Sequence, residues 1–141
     1  MFALFSFLKI NEYGKKIIMC YYIYAYYSMK LADKKCVPCE VKIPPMKEDE
    51  IQKHLSYLSL AWKAVDSKKI ACEFKLKNFK EAIRFVNDIA EVAELEGHHP
   101  DIFISYNKVR IELLTHCING LSENDFILAA KIENLFKKLK K

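Results

Sequence analysis

The chain contains only four histidines, and three of them, His98, His99 and His116, lie in one short part of the sequence. Imidazole is suited to proton transfer at neutral pH because its unperturbed pKa is about 6.5. Two carboxylates, Glu94 and Asp101, flank the adjacent pair. These residue types fit three kinds of site: metal-free acid/base catalysis, a three-histidine zinc site, or histidines that only cap and pack.

The spacing of the histidines favours acid/base catalysis over a zinc site. Neighbouring side chains in extended backbone point to opposite faces, so His98 and His99 are poorly arranged to bind one metal ion. The i, i+4 histidine pair of a zinc hydrolase helix is also absent. The fourth histidine, His54, lies beside an apolar helical stripe and is expected to be structural. A structural role for the other three stays open at this point.

Hydrophobic periodicity predicts the elements that position these residues. Residues 47–58 are expected to form a helix with an acidic first turn, and residues 62–65 and 70–76 two strands joined by a polar turn. The residues at 78–81 resemble a capping box, which would begin a second helix. That helix should run to about residue 95, because Gly97 is well placed to end it.

The histidines border a second predicted hairpin, with alternating strands at 102–107 and 108–115 and a tight turn at 107–108. A further capping box at 122–125 begins the last helix. The order is helix, strand, strand, helix, strand, strand, helix. The sequence therefore predicts an α+β fold, in which a four-stranded antiparallel sheet carries three helices on one face.

The hairpin explains how distant histidines could act together. If its two strands pair, the start and the end of the hairpin become neighbours, and His116 approaches His98 and His99. We therefore expect three imidazole rings around one ligand. Asp125 lies in the capping box, and a capping role is preferred to a catalytic one for this residue.

The segment before the first predicted helix contains Cys36 and Cys39 in a C-x-x-C spacing, followed by Pro44 and Pro45. A structural zinc site usually has four ligands from two such pairs, and the sequence has no second pair. No thioredoxin-like βαβ pattern follows it. Residues 29–46 are therefore expected to form an extended, solvated arm, with half a zinc site or a redox pair as alternatives.

Residues 1–28 are interpreted as an N-terminal extension. Its apolar run at 17–27 is shorter than the roughly 20 residues that span a bilayer. The segment is basic and poor in acids, as in targeting peptides, but it lacks the composition of a transit peptide. The alternatives are a targeting peptide, a disordered segment, or a translated segment upstream of a start at Met29. The folded domain is expected at 47–141.

Composition and charge narrow the class of protein. The hydrophobic fraction of 52% and the charged fraction of 29% are typical of a soluble globular protein. Residues 1–45 hold seven lysines and three acids, and the rest of the chain holds sixteen Lys or Arg and fifteen acids. The nearly neutral body does not support a nucleic-acid interface. The odd cysteine count of five favours a reducing compartment.

The chain resembles a known family through the stretch from Glu94 to Asp125. E-x-x-x-H-H-P, then Y-N-K-V, then T-H, then G-L-S-x-x-D is similar to the signature of the pterin-4a-carbinolamine dehydratases. The arm L-A-D-K-K-C-V-P-C-E also resembles the start of many bacterial and plant members. The resemblance covers about residues 31–136 and leaves residues 1–28 outside it.

The resemblance implies a reaction, namely the loss of water from 4a-hydroxytetrahydrobiopterin to give quinonoid dihydrobiopterin in tetrahydrobiopterin recycling, with no metal and no cofactor. His98 and His116 would be general acids at the hydroxyl, one for each face of the ring. His99 would orient the pterin or act as a base. The catalytic residues would be these three, and the expected substrate-binding residues are Glu94, His98, His99, Ile102, Leu114, Thr115 and His116.

Three positions depart from the mammalian members of the family. Gly97 stands where Asp is common, Ile102 where Trp is common, and Asn124 where Arg is common. These positions flank the pterin in the family, so we expect the affinity for the pterin and the preference for its side chain to differ. Activity is still expected, because the three histidines are retained.

The resemblance also implies an assembly and partners. Family members form homotetramers, in which sheets join edge to edge and helices pack at the centre. The alternative function is that of an oligomeric interaction protein, because mammalian relatives serve as dimerisation cofactors of a homeodomain transcription factor. The pterin substrate is the expected ligand, with no nucleic acid and no membrane. A cytoplasmic location is expected, with the nucleus and an organelle addressed by residues 1–28 as alternatives.

Overall fold

The computed structural model describes residues 30–38 and 43–140, together with the single residues Met19, Tyr22 and Tyr26. The predicted extension at 1–28 therefore lies outside the described residues, apart from those three. The elements follow the predicted order: α1 (Glu48–Leu55), β1 (Lys63–Val65), β2 (Lys69–Lys75), α2 (Phe79–Glu96), β3 (Asp101–Ser105), β4 (Lys108–Leu113), a 3₁₀ turn (His116–Ile118) and α3 (Glu123–Leu139). The predicted α+β class is confirmed.

The four strands form one antiparallel sheet in the order β1-β2-β4-β3. At its centre, Phe74 of β2 pairs with Val109 of β4, and both side chains are buried on the helical face. The next pair, Glu73 with Arg110, points to the opposite face and is exposed. This period of two confirms the predicted half-buried strands. Strand β3 is an edge strand, because β4 is its only partner among the described strands.

The core lies between the sheet and helices α2 and α3. Phe74 packs its ring against Phe85 of α2 and Phe136 of α3, each at 5.1 Å between centroids. Trp62 meets the edge of Phe74 at 5.9 Å. Burying side chains of this size contributes about 1.5–3 kcal/mol each. The core therefore holds the two helices that flank the histidine segment in a fixed relation to the sheet.

Helix α2 ends where the histidine pair begins. Its N-cap is Asn78, whose side chain accepts a hydrogen bond from Glu81 N at 2.9 Å. The Glu81 carboxylate accepts from Lys77 N at 2.7 Å, one residue earlier than a capping box requires. Gly97 ends the helix with a φ of 62°, a conformation that glycine adopts at low cost. His98 therefore leaves the helix at a defined angle.

The turn between β3 and β4 differs from the predicted one. The last pair is Ser105 with Lys108, so the turn residues are 106 and 107 rather than 107–108. Tyr106 has a φ of 53°, which its sequence does not signal because bulky residues rarely adopt it. Asn107 anchors the turn, since its side-chain amide donates to Leu76 O at 2.9 Å and its carbonyl accepts from Leu76 N at 2.8 Å.

Strand β4 ends at Leu113, two residues before the predicted end. Thr115 then forms an isolated bridge with Gly120, in which Thr115 N donates to Gly120 O at 2.9 Å. The loop between them contains the 3₁₀ turn that begins at His116. Gly120 allows a close approach, because a Cβ atom there would lie 2.7 Å from the Cβ of Pro45. His116 is therefore presented on a short closed loop and not on a strand.

The start of the arm before α1 departs from the extended, solvated segment that we expected, whereas Val37 and Ile43 further along it are exposed. Residues 30–33 are helical, and Leu31 is only 4% exposed. Lys131 of α3 donates to Ala32 O at 2.7 Å. The expectation failed because apolar contacts of an arm with a distant helix leave no local periodicity. Cys39 lies outside the described residues. Within the described part of the chain, no helix has the length and apolar character needed to cross a membrane.

Candidate active site

His98 is held in the interior next to the end of α2. Its backbone N–H donates to Ala93 O at 3.2 Å, which continues the helical hydrogen bonding past Gly97. Its side chain is 7% exposed, and Nε2 lies 2.8 Å from Oδ1 of Asp125. A buried imidazole whose ring is bonded to a carboxylate has a restricted orientation. His98 is thus positioned by both its backbone and its side chain.

Asp125 is fully buried at the start of α3 and accepts three hydrogen bonds. Its Oδ2 accepts from Ser122 N and from the Thr115 hydroxyl, each at 2.8 Å, and its Oδ1 faces His98. An ionised carboxylate only accepts, so the proton of this bond belongs to Nε2 of His98. The predicted capping box of Ser122 and Asp125 is present. The structure adds the bond to His98, which makes Asp125 a further candidate site residue.

The sequence contained a partial signal for this role. The S-x-x-D pattern identifies Asp125 as a cap, but capping uses only one of its oxygens. The other oxygen is available to a partner from elsewhere in the chain, and no local pattern names that partner. The contact to His98 depends on how α2 and α3 pack, so sequence reasoning missed it.

His99 lies on the outside of the same segment. Its Nε2 is 2.8 Å from Oε1 of Glu94, and the two side chains are 59% and 77% exposed. A contact at this exposure competes with solvent, so it contributes little to stability. His98 and His99 therefore face different environments, in line with the argument that adjacent side chains diverge. Glu94 and His99, both predicted site residues, are in direct contact.

His116 is exposed at the start of the 3₁₀ turn, and Thr115 before it is buried. The Thr115 hydroxyl and the ring of His98 bind the two oxygens of the same carboxylate, that of Asp125. Two hydrogen bonds therefore connect the segment of His98 to the residue that precedes His116. The distances between the three imidazole rings stay a prediction.

Two other predicted site residues, Ile102 and Leu114, are both partly covered by the rest of the chain. Ile102 is half-buried on β3 opposite Ile111, and Leu114 is half-buried between β4 and Thr115. His54, expected to be structural, bonds the carbonyl of Glu50 through Nδ1 at 2.8 Å. Its ring also packs at 5.0 Å from that of Phe126.

Two clefts of about 330 and 320 Å³ lie along the arm. His54 lines the first of them together with Lys53 and Tyr57, whereas Glu96 and Lys131 line the second. His98, His99 and His116 line neither cleft. Among residues 30–38, 43–140 and the three single residues, no group of three or more His, Cys, Asp and Glu side chains is arranged to hold a metal ion.

Three ionisable groups near the site have shifted pKa values. The bonded Lys69 ammonium lowers the pKa of Glu112, against the effect of burial. Burial alone would raise the pKa of Glu96, but the Cys36 N–H and Lys131 lower it overall. Burial, together with the nearby Glu96, raises the pKa of the Cys36 thiol to about 12. A thiol with this pKa is not a thiolate at neutral pH, which disfavours the redox interpretation of Cys36.

Comparison with known proteins gives a consistent result. The family model described as pterin 4 alpha carbinolamine dehydratase matches residues 44–135. A relative from Alkaliphilus metalliredigens with the provisional name pterin-4-alpha-carbinolamine dehydratase is 50% identical over 103 residues, which cover 73% of this chain and 93% of the relative. A relative of the same provisional name from Nitrosomonas europaea is 48% identical over 107 residues, covering 76% and 94% of the two chains.

A solved structure supports the fold as well. The crystal structure of a protein from Brucella melitensis, described as a transcriptional coactivator/pterin dehydratase, is similar to this chain with a TM-score of 0.61 and 36% sequence identity. The similarity covers 64% of this chain and 97% of the Brucella chain. The similar part is therefore nearly the whole of that protein.

Proposed function

The chain belongs to the pterin-4a-carbinolamine dehydratase family of hydro-lyases, and from this premise we propose that it converts 4a-hydroxytetrahydrobiopterin to quinonoid dihydrobiopterin and water. The proposal rests on the buried carboxylate of Asp125, which accepts hydrogen bonds from the ring of His98 and from the hydroxyl of Thr115, the residue before His116. In this proposal, the product re-enters the tetrahydrobiopterin cycle after reduction elsewhere.

The reaction needs one proton donor and one proton acceptor. The bond between carbon 4a and its hydroxyl oxygen breaks, and the oxygen takes up a proton to leave as water. A ring nitrogen releases a proton as the new double bond forms, so protons balance and no electrons are exchanged with a second reactant. Positioned histidines suit both steps at neutral pH, and each contributes about 10²–10⁴-fold.

We assign His98 as one general acid. Its Nε2 is occupied by Asp125, so Nδ1 is the ring nitrogen that remains for the substrate. When the ring is doubly protonated, Nδ1 can donate to the leaving oxygen while the carboxylate stabilises the cation. His116 would be the acid for the opposite face of the pterin, because it lies on the loop beyond Thr115.

We assign His99 and Glu94 to the binding of the pterin. They are in contact with each other at 2.8 Å and both are exposed, so a ligand can reach both. His99 would orient the ring or accept its proton. Ile102 and Leu114, which are half-buried, would supply apolar contact, and the backbone of residues 114–116 would bind the polar edge of the pterin.

The test is an assay of purified protein on chemically generated 4a-hydroxytetrahydropterin. Substituting Ala for His98, His99 or His116 is expected to reduce the rate by about 10²-fold or more. His54→Ala is the matched control, because His54 belongs to helix α1 and bonds Glu50 rather than the site. Full activity in both His99→Ala and His116→Ala would rule out this site.

We further propose a homotetramer. Strand β3 is an edge of the sheet. Phe103 and Ile104 on this strand and Tyr106 in the turn after it have exposed fractions of 54%, 41% and 69%. An apolar edge strand favours pairing with another strand. Light scattering should give four chains for the wild type and fewer for Ile104→Lys. A wild-type monomer would contradict this assembly.

A second function has one specific observation in its favour. The similar Brucella protein is described as a transcriptional coactivator as well as a pterin dehydratase. This chain would then act as an oligomeric dimerisation cofactor in the cytoplasm and nucleus, and its histidines would be dispensable. A pull-down from native extract with wild type and His116→Ala separates the two functions. A partner captured equally by both, without dehydratase activity, would favour the interaction role.

A further inference from the structure

The arm makes a second connection between the ends of α2 and α3. The backbone N–H of Cys36 donates to Oε2 of Glu96, in the last position of α2, at 2.9 Å. The next residue, Val37, donates its N–H to Oδ1 of Asn124 at 2.9 Å and accepts from Nδ2 of Asn124 at 2.8 Å. Both ends of the Asn124 amide are therefore used on one backbone unit of the arm.

These two attachment points adjoin the His98–Asp125 pair. Glu96 precedes His98 by two residues, and Asn124 immediately precedes Asp125. The pair itself joins the same two segments through a 2.8 Å bond. The arm therefore spans the same junction as the pair and runs beside it.

The arm is firmly docked at its other contacts. Leu31 is buried, and Lys131 donates to Ala32 O at 2.7 Å. Lys131 also lies 3.2 Å from Oε1 of Glu96, whose side chain is only 5% exposed. A carboxylate this buried needs its partners, so loss of the Cys36 N–H would leave it under-satisfied. The arm contributes to the position of Glu96 as well as of Asn124.

We propose that the backbone of Cys36 and Val37 acts as a clamp that holds His98 at hydrogen-bonding distance from Asp125, with Glu96 and Asn124 as positioning residues for the dehydration. The inference rests on the proposed function for its kinetic consequence. The physical reason is that a misplacement of about 1 Å in a catalytic group can cost 10²-fold in rate. Without the clamp, the His98–Asp125 bond, the Lys131–Glu96 ion pair and the core would remain to keep the two helix ends in register.

The test compares Asn124→Ala with Lys34→Ala. The first removes both bonds to Val37, and the second removes an exposed tether of the same arm to Glu123 that does not touch the clamp. Position 124 was expected to flank the pterin, but the Asn124 side chain is buried and both ends of its amide are bonded to Val37. We therefore expect Asn124→Ala to lower kcat about 10-fold or more with KM within 2-fold of the wild type. Lys34→Ala should retain the wild-type kcat.

A second readout does not depend on activity. The Nε2 proton of His98 is bonded to a buried carboxylate, so it should give a slowly exchanging proton NMR signal in the wild type. Asn124→Ala should broaden or remove this signal, and Lys34→Ala should leave it unchanged. Glu96→Ala removes the bond to Cys36 N and is the second clamp variant. It is expected to show the same loss of signal and of kcat, and it provides the test if Asn124→Ala fails to fold.

The outcomes separate the clamp from the proposed function. A wild-type signal and a wild-type kcat in folded Asn124→Ala or Glu96→Ala would overturn the clamp, even if the dehydratase activity is present. The clamp would also be overturned if the loss of kcat in both Lys34→Ala and Asn124→Ala simply followed the decrease in their melting temperatures. A wild type that does not dehydrate the pterin would refute the proposed function, and the NMR signal would still test the clamp.

Discussion

Replacing Asp125 with asparagine is expected to invert the proton arrangement of His98. Two donors, Ser122 N and the Thr115 hydroxyl, face Oδ2, so the amide oxygen of the new side chain should occupy that place. The amide NH₂ then faces Nε2 of His98. Because an NH₂ group only donates, Nε2 must become an acceptor and the proton must move to Nδ1.

The magnitude follows from these contacts. A doubly protonated His98 would place an N–H against an NH₂ group, so the acid form is disfavoured. Loss of general acid catalysis costs about 10²–10⁴-fold in kcat. The remaining bonds become neutral, and hydrogen bonds to charged groups are worth about 1.5–3 kcal/mol against about 0.5–1.5 for neutral ones. We therefore expect a loss of about 1–3 kcal/mol in the free energy of unfolding.

The assay measures kcat for the dehydration beside the denaturant midpoint of the same sample. Glu133→Gln is the matched control, because Glu133 is the other fully buried carboxylate of α3 and accepts from the backbone N–H groups of Ser59 and Leu60. It should lose at least as much stability, because the new amide NH₂ must face one of these N–H donors, and it should keep its activity. A folded Asp125→Asn protein with wild-type kcat would refute the reasoning, as would an equal loss of kcat in Glu133→Gln.

Three further predictions follow from the geometry. Cys36 should react with iodoacetamide about 10³-fold more slowly in the native than in the unfolded protein at pH 8, because its pKa is raised to about 12. Mass spectrometry of the labelled peptide measures the two rates, and equal rates would contradict the prediction. Gly97→Ala should reduce the free energy of unfolding by about 1–2 kcal/mol because of its positive φ, with nothing within 4 Å to clash. Glu112 has a lowered pKa, so its stabilising contribution is present above pH 4.5 and is lost as the pH falls through the folded-state pKa; Glu112→Gln should therefore flatten the acid limb of the stability curve, and an unchanged limb would contradict this.

The order of elements could be predicted from the sequence because each signal is local. Alternation across β2 and β4 and the cap at Asn78 depend on residues within a few positions of one another. The turn at Tyr106 could not be located, because its position is set by the partner of Asn107 on the neighbouring chain segment and by a positive φ at a bulky residue. The early end of β4 likewise depends on Thr115 pairing with Gly120.

In the candidate site too, local features could be predicted from the sequence and long-range contacts could not. The motif singles out His98, His99 and His116 as candidates, because their spacing is a feature of the sequence itself, and their role in one site stays a prediction. The bond from Asp125 to His98 joins residues 27 positions apart, and the clamp from Val37 to Asn124 joins residues 87 positions apart. Such contacts arise from the packing of α2, α3 and the arm. No periodicity records them, so the contacts of residues 31–37 with α2 and α3 could not be predicted.

The central claim is that three histidines surround one pterin, and its most direct test is a titration of the ring resonances with biopterin, a stable pterin. We expect the Cε1–H signals of His98, His99 and His116 to shift together with a single Kd, while the signal of His54 stays in place. Separate Kd values, or shifts confined to one of the three rings, would contradict the account.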